Sequence, residues 1–138
     1  MWKYYALLSA VFASLTAIFA KIGIANVNSN LATAIRTFFI LLLTWGIVLA
    51  GNNLHGIKEL NGKTWLFLIL SAVATGLSWL CYFKAIQIGD VSRVAPIDKL
   101  SVVFTILLSF FILKEPMSAR VLIGGGLICV GAIVIIWH

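Results

Sequence analysis

Arg36, Asp98 and Lys99 are ionisable residues set inside long apolar runs, and Trp79 and Tyr82 are aromatic residues deep or late in another. In hydrocarbon, an ionisable side chain costs about 2.5–3.5 kcal/mol on insertion scales, so each is a candidate site for a ligand or a proton. Asp98 and Lys99 are neighbours, just after Pro96. Adjacent residues of a continuous helix point about 100° apart and share no face. Asp98 is therefore expected to find its partner elsewhere, and Arg36 and Lys84 lie toward the same membrane side. A structural ion pair near the interface and a functional site both remain open. For Trp79 and Tyr82 the two readings are packing and a stacking wall for a ligand.

Other chemistry finds little support. An intramembrane enzyme needs a nucleophile with a base, and the two histidines, His55 and His138, lie in a loop and at the end of the chain. No catalytic residue is assigned, and the chain is read as not an enzyme. Cys81 and Cys129 lie in apolar runs without CxxC or metal spacing, so inert thiols are expected, with no disulfide framework, metal or cofactor. Gly124, Gly125 and Gly126 match no phosphate-binding spacing and follow no strand.

These residues are carried by apolar runs at about 4–24, 31–50, 64–86, 94–113 and 119–137. Each is near 20 residues, which at about 1.5 Å per residue spans a hydrocarbon core of about 30 Å. Lipid cannot satisfy open backbone groups, so the runs are expected to be helices. The fold class is an all-α integral membrane protein, a single domain over 1–138. Composition agrees: the chain is 62% hydrophobic and 10% charged, with a mean hydropathy of +1.12. A soluble domain is nearer half apolar and a quarter charged. The first run follows Met1-Trp2-Lys3 directly and reads as a retained span, not a cleaved signal.

The turns carry their own chemistry. Asn30 is a candidate cap for the second helix, and Ser118 for the fifth. Residues 51–63 form the longest loop, and Pro116 stops the helix before it. Pro96 disfavours helix at Ala95 and removes a bond, so the fourth run is expected to begin with a broken or re-entrant piece carrying Asp98 and Lys99. Such breaks recur at transporter sites and also as simple kinks. Three successive glycines, then Gly131-Ala132, point to close helix approach, within the chain or between protomers.

The net charge of +6 comes from basic residues scattered at segment ends. With no basic stripe, nucleic acid is not expected as a partner; the residues read as interface anchors. Trp2, Tyr4, Tyr5, Trp45, Trp65 and Trp137 fit the aromatic belt. An odd number of spans puts the two ends on opposite membrane sides. Lys3, Lys58, Lys63, Lys114 and Arg120 lie on the N-terminal side. Lys21, Lys84 and Arg93 lie on the other, joined by Arg36 and Lys99 if these snorkel outward. The bias toward an inside N-terminus is weak, and insertion in both orientations is compatible with it.

From Phe104 to Leu113, then Lys114-Glu115-Pro116, Gly124 and Gly131, the chain resembles the EamA-like members of the drug/metabolite transporter superfamily. The likeness lies in an apolar helix ending in Glu115, with glycines at set distances beyond. Arg36 sits where the family's second helix carries an Arg, and Lys21 closes a similar first helix. Val102 stands where members often have Pro, and Ala13-Ser14 where many have Trp-Gly. The stretch 94–101, with Pro96, looks like short single-repeat bacterial and archaeal members.

The resemblance implies one five-helix repeat, half of a ten-helix transporter. Its implied partners are the lipid bilayer of the cell membrane, a small-molecule substrate, and a second repeat. The second repeat would come from an antiparallel homodimer or from another half-size protein. On this reading the protein is a secondary transporter or exporter of a small metabolite, working by alternating access. Arg36, Asp98 and Lys99 would line or gate the cavity, and Trp79 and Tyr82 would wall it. The first run holds no carboxylate, which disfavours the small-multidrug type of proton-coupled export and leaves Asp98 for any coupling. The alternative is a non-transporting scaffold or an accessory subunit.

Overall fold

The computed structural model describes residues 1–137. His138 lies outside them. The order is α1 (Trp2–Gly23), α2 (Ser29–Ala50), a 3-10 stretch (Asn53–Glu59), α3 (Gly62–Ile88), α4 (Val91–Asp98), α5 (Ser101–Leu108) and α6 (Ala119–Ile136). A π-helical turn, Ser109–Leu113, extends α5. Five stretches are long and apolar enough to cross a membrane: α1, α2, α3, the span Val91–Leu113, and α6. The all-α fold class expected from the five runs is the one observed.

Helix ends follow local chemistry, with one shift from expectation. Asn28, not Asn30, caps α2: its side-chain oxygen accepts from the backbone N–H groups of Asn30 at 2.9 Å and Leu31 at 3.3 Å. A cap oxygen serves N–H groups two and three residues ahead, so Asn30 is already inside the helix. Asn61 accepts from Thr64 N–H at 2.8 Å at the start of α3. Ser118 caps α6 through Val121 N–H at 3.3 Å, as expected. Thr33, Thr37, Thr44, Thr75 and Thr105 each return the hydroxyl to the carbonyl one turn back. Such back-bonding satisfies these five hydroxyls in an apolar solvent.

The fourth span is broken, but not where Pro96 alone would break it. Ala95 and Pro96 are helical within α4, and the helix ends at Asp98. Pro96 lacks only the N–H that would reach back to Ser92, in the first turns of a short helix, and the chain tolerates that one loss. Lys99 and Leu100 form the turn, and α5 starts at Ser101. At the far end Lys114 takes the left-handed conformation, φ 55°. Its N–H and that of Glu115 both reach the Ser109 carbonyl. That cap stops the helix two residues before Pro116, a common place for proline after a C-terminus.

The chain divides into two compact units, Met1–Ile18 with Ile88–His138, and Phe19–Gln87. In the first, α6 packs on both α4 and α5. The glycine triplet serves this contact through one member. A β-carbon on Gly125 would come within 2.8 Å of Ile106 Cδ1, whereas Gly124, Gly126 and Gly131 meet nothing within 4 Å. Three consecutive residues spread over most of a helix turn, so only one can face a given neighbour. Gly125 and Ala132, seven residues apart, are the buried pair on α6.

In the second unit, α2 and α3 run antiparallel. The start of α2 lies by the end of α3, and the 3-10 stretch joins their other ends. The tightest packing is at the α2 start: Ala20, Ile24, Ser29, Thr33, Phe83 and Ile86 are all buried. Most other large apolar side chains are exposed. On membrane-length helices that surface suits lipid or another protein, since hydrocarbon exacts no hydrophobic cost.

Candidate functional site

The five candidate residues fall into two groups. Arg36, Trp79 and Tyr82 meet around one buried ring in the Phe19–Gln87 unit. Asp98 and Lys99 form a pair in the other.

Phe83 is the centre of the first group. It is 2% exposed and sits on α3 between α2 and its own aromatic neighbours. Trp79, one turn earlier, meets it edge-on at 6.4 Å between centroids, and Tyr82 does so at 5.4 Å. Both arrangements favour the ring quadrupole. The packing reading therefore accounts for part of each side chain, while both stay half-buried. The Arg36 guanidinium carbon lies over the Phe83 ring, 3.8 Å from the centroid. A desolvated cation on an aromatic face gains about 2 kcal/mol, which offsets much of the cost of holding Arg at this depth.

A polar lattice secures this end of the unit. Lys21 Nζ donates to the carbonyls of Ile86 at 2.7 Å and Gln87 at 3.4 Å. Gln87 Nε2 donates to the carbonyls of Val27 at 2.7 Å and Ile24 at 3.0 Å. Lys84 Nζ donates to Gln87 Oε1 at 3.2 Å. These bonds tie the end of α3 to the α1–α2 connection and use up carbonyls that a helix end leaves open. They also hold Phe83, one turn back, under Arg36.

Arg36 is not fully satisfied by these contacts. Its Nη1 is buried and has no hydrogen-bond partner among the described residues. Ser29 Oγ is in the same condition. The two lie seven residues apart, so they share one face of α2, with buried Thr33 between them. Orphaned donors of this kind are rare in finished interiors and call for a reason.

The second group departs from the expected geometry. Lys99 Nζ lies 3.4 Å from Asp98 Oδ2. Neighbours on a helix diverge by about 100°, and Lys99 at the end of α4 keeps right-handed backbone angles (φ −70°, ψ −8°), so the long lysine side chain closes the gap. Asp98 thus has the partner the helical wheel denied it. The Lys99 side chain is 56% exposed and that of Asp98 35%, so this is a partly exposed pair worth about 0–1 kcal/mol. Beside it, a groove of about 470 Å³ runs along Pro96, Lys99, Val102 and Gly131.

Phe83 and Gln87 carry this geometry yet stand out little in the sequence. Phe83 follows Trp79 by four residues, an aromatic ladder at helical spacing. Gln87 is the chain's single glutamine, in the last turn of a membrane-length helix. Glu115, by contrast, sits in the connection before α6, and Gly124 and Gly131 are on α6.

The EamA-like transporter family matches residues 1–137. An uncharacterized transporter from the cobO 3' region of a Sinorhizobium species is 47% identical over 134 residues, covering 97% of this chain and 95% of that protein. The uncharacterized transporter YojE of Bacillus subtilis is 26% identical over 105 residues, covering 73% of this chain but only 35% of YojE. No solved structure shows a significant match. With five membrane-length helices and a family match over nearly its whole length, the chain is a multi-pass cell-membrane protein and belongs to the EamA-like transporter family.

Proposed function

We propose that this chain is one half of a secondary transporter for a small metabolite. Two copies in inverted orientation, or one copy with another half-size transporter, enclose a path that opens alternately to each side. Length is the observation that carries this reading. The chain spans nearly all of one transporter-named relative and about a third of another. A unit found at both lengths draws its second repeat either from the same polypeptide or from another one. Five spans give the unit ends on opposite sides, and the weak bias of the basic residues is compatible with insertion both ways. Arg36, Asp98 and Lys99 are the polar groups we assign to the solute path. Trp79 and Tyr82, each half-buried, supply its apolar wall.

Tandem fusions test this. A short polar linker between two copies leaves the second copy inverted, because the first ends on the far side. One extra apolar span in the linker makes the second copy parallel. In vesicles, with a solute identified by thermal-shift screening, the inverted tandem is expected to carry flux and the parallel tandem to carry none. Equal flux from both contradicts the inverted pair. No flux from either, with both correctly inserted, favours the scaffold or accessory reading.

A further inference from the structure

The half-buried guanidinium of Arg36 has no carboxylate partner among the described residues. The chain has four acidic residues, Glu59, Asp90, Asp98 and Glu115. Asp90 lies 3.8 Å from Arg93, and Asp98 pairs with Lys99. Glu59 is in the 3-10 stretch, at the opposite ends of α2 and α3 from Arg36. Glu115 is in the connection before α6. Among the described residues Arg36 makes no ion pair, and Nη1 makes no hydrogen bond.

Phe83 does not supply that partner: its ring lies against the guanidinium carbon, 3.8 Å from centroid to carbon, and Nη1 still has no hydrogen bond among the described residues. An in-plane fork of donors matches a carboxylate or phosphate, which can accept two parallel bonds. The surroundings carry the same sign. Lys21 and Lys84 stand at this end of the unit, where they donate to the Ile86 carbonyl and the Gln87 side-chain oxygen. The only acid of the unit, Glu59, is at the other end. Cations grouped in a low-dielectric setting raise the local concentration of anions. Ser29 Oγ adds a second unsatisfied donor on the same face of α2.

We propose that Arg36 receives an oxyanion, a carboxylate or phosphate group, at its unpartnered Nη1. This rests on the transporter reading for its meaning: the solute is then an anion, not a cation. The same chemistry has a second source, the phosphate of an anionic lipid headgroup.

The test is thermal unfolding of the purified chain in an uncharged maltoside detergent, at constant ionic strength. The probes are sodium phosphate, sodium benzoate, benzylammonium chloride and phosphatidylglycerol. Phosphate or benzoate is expected to raise the wild-type Tm by about 3 °C, as binding to the native state requires. Benzylammonium is expected to leave it unchanged. Arg36→Gln should lose the response, and Arg36→Lys, which keeps the charge and loses the fork, should retain a reduced one. A response to phosphatidylglycerol alone supports the oxyanion and assigns it to lipid. No response to any oxyanion overturns the proposal, as does an equal response in a folded Arg36→Gln or in benzylammonium alone. Flux in vesicles is measured separately. A benzylammonium response with flux removes the anion and leaves transport standing. An oxyanion response without flux does the reverse.

Discussion

Phe83→Ala is expected to cost about 4 kcal/mol and to release Arg36. The ring is 2% exposed and touches α2 and both aromatic neighbours. In lipid the transfer part of a core truncation largely disappears, because the loosened helices still sit in hydrocarbon. The cavity part remains: at about 24 cal/mol per Å³, a void of roughly 100 Å³ costs about 2 kcal/mol. Losing a desolvated cation–π contact adds about 2 kcal/mol. Phe83→Leu separates the two effects, since it keeps most of the volume and loses the quadrupole. It should cost about 2 kcal/mol, nearly all from Arg36. Unfolding in mixed micelles measures both. Equal, small losses for the two variants would show that the ring does not hold the guanidinium.

The second large effect is on transport. Asp98→Asn is expected to lower solute uptake by at least about tenfold while insertion and Tm stay close to wild type. The two readouts separate because the Asp98–Lys99 pair is partly exposed and contributes about 0–1 kcal/mol to stability. A purely structural pair would move stability by that small amount and leave uptake intact. The pair sits at the break between α4 and α5, where the N–H groups of Lys99 and Leu100 bond three residues back, to the Pro96 and Ile97 carbonyls. A charge at such a point can bias the break's conformation or meet a solute directly. Unchanged uptake in Asp98→Asn would return the pair to an interfacial ion bridge.

The overall architecture was readable because its cause is one-dimensional. Runs near 20 apolar residues long have few alternatives to crossing a membrane as helices. The weak point of the fourth span was also visible, in Pro96 beside two charges. Its exact position was not. Proline forbids one hydrogen bond, and α4 carried that loss through to Asp98 before turning. Helical spacing taken alone pointed away from the Asp98–Lys99 pair, because it leaves out the length of the lysine side chain. In the glycine triplet, composition signalled close approach, but only the packed helix shows that Gly125 meets Ile106.

The Arg36 site was half visible. A lone cation in an apolar run is conspicuous, whereas its platform is one phenylalanine among nine. Nothing in residue type distinguishes Phe83 from those facing lipid. Gln87 was the clearer missed signal. An amide in the last turn of a membrane helix needs partners, and it finds them at Ile24, Val27 and Lys84. Trp79 and Tyr82 stay divided between packing and wall, because each gives an edge to Phe83 and keeps another part open.

The central claim is that two half-size units act as an inverted pair. The most direct measurement counts and orients them together. Wild-type protein carrying a C-terminal label, captured in lipid nanodiscs from native membranes, should show two half-size units per disc, either two copies or one copy with another half-size protein. In discs with two copies one label should be accessible from each face. Discs holding a single copy with no second half-size protein, or two labels accessible from the same face, would contradict the inverted pair.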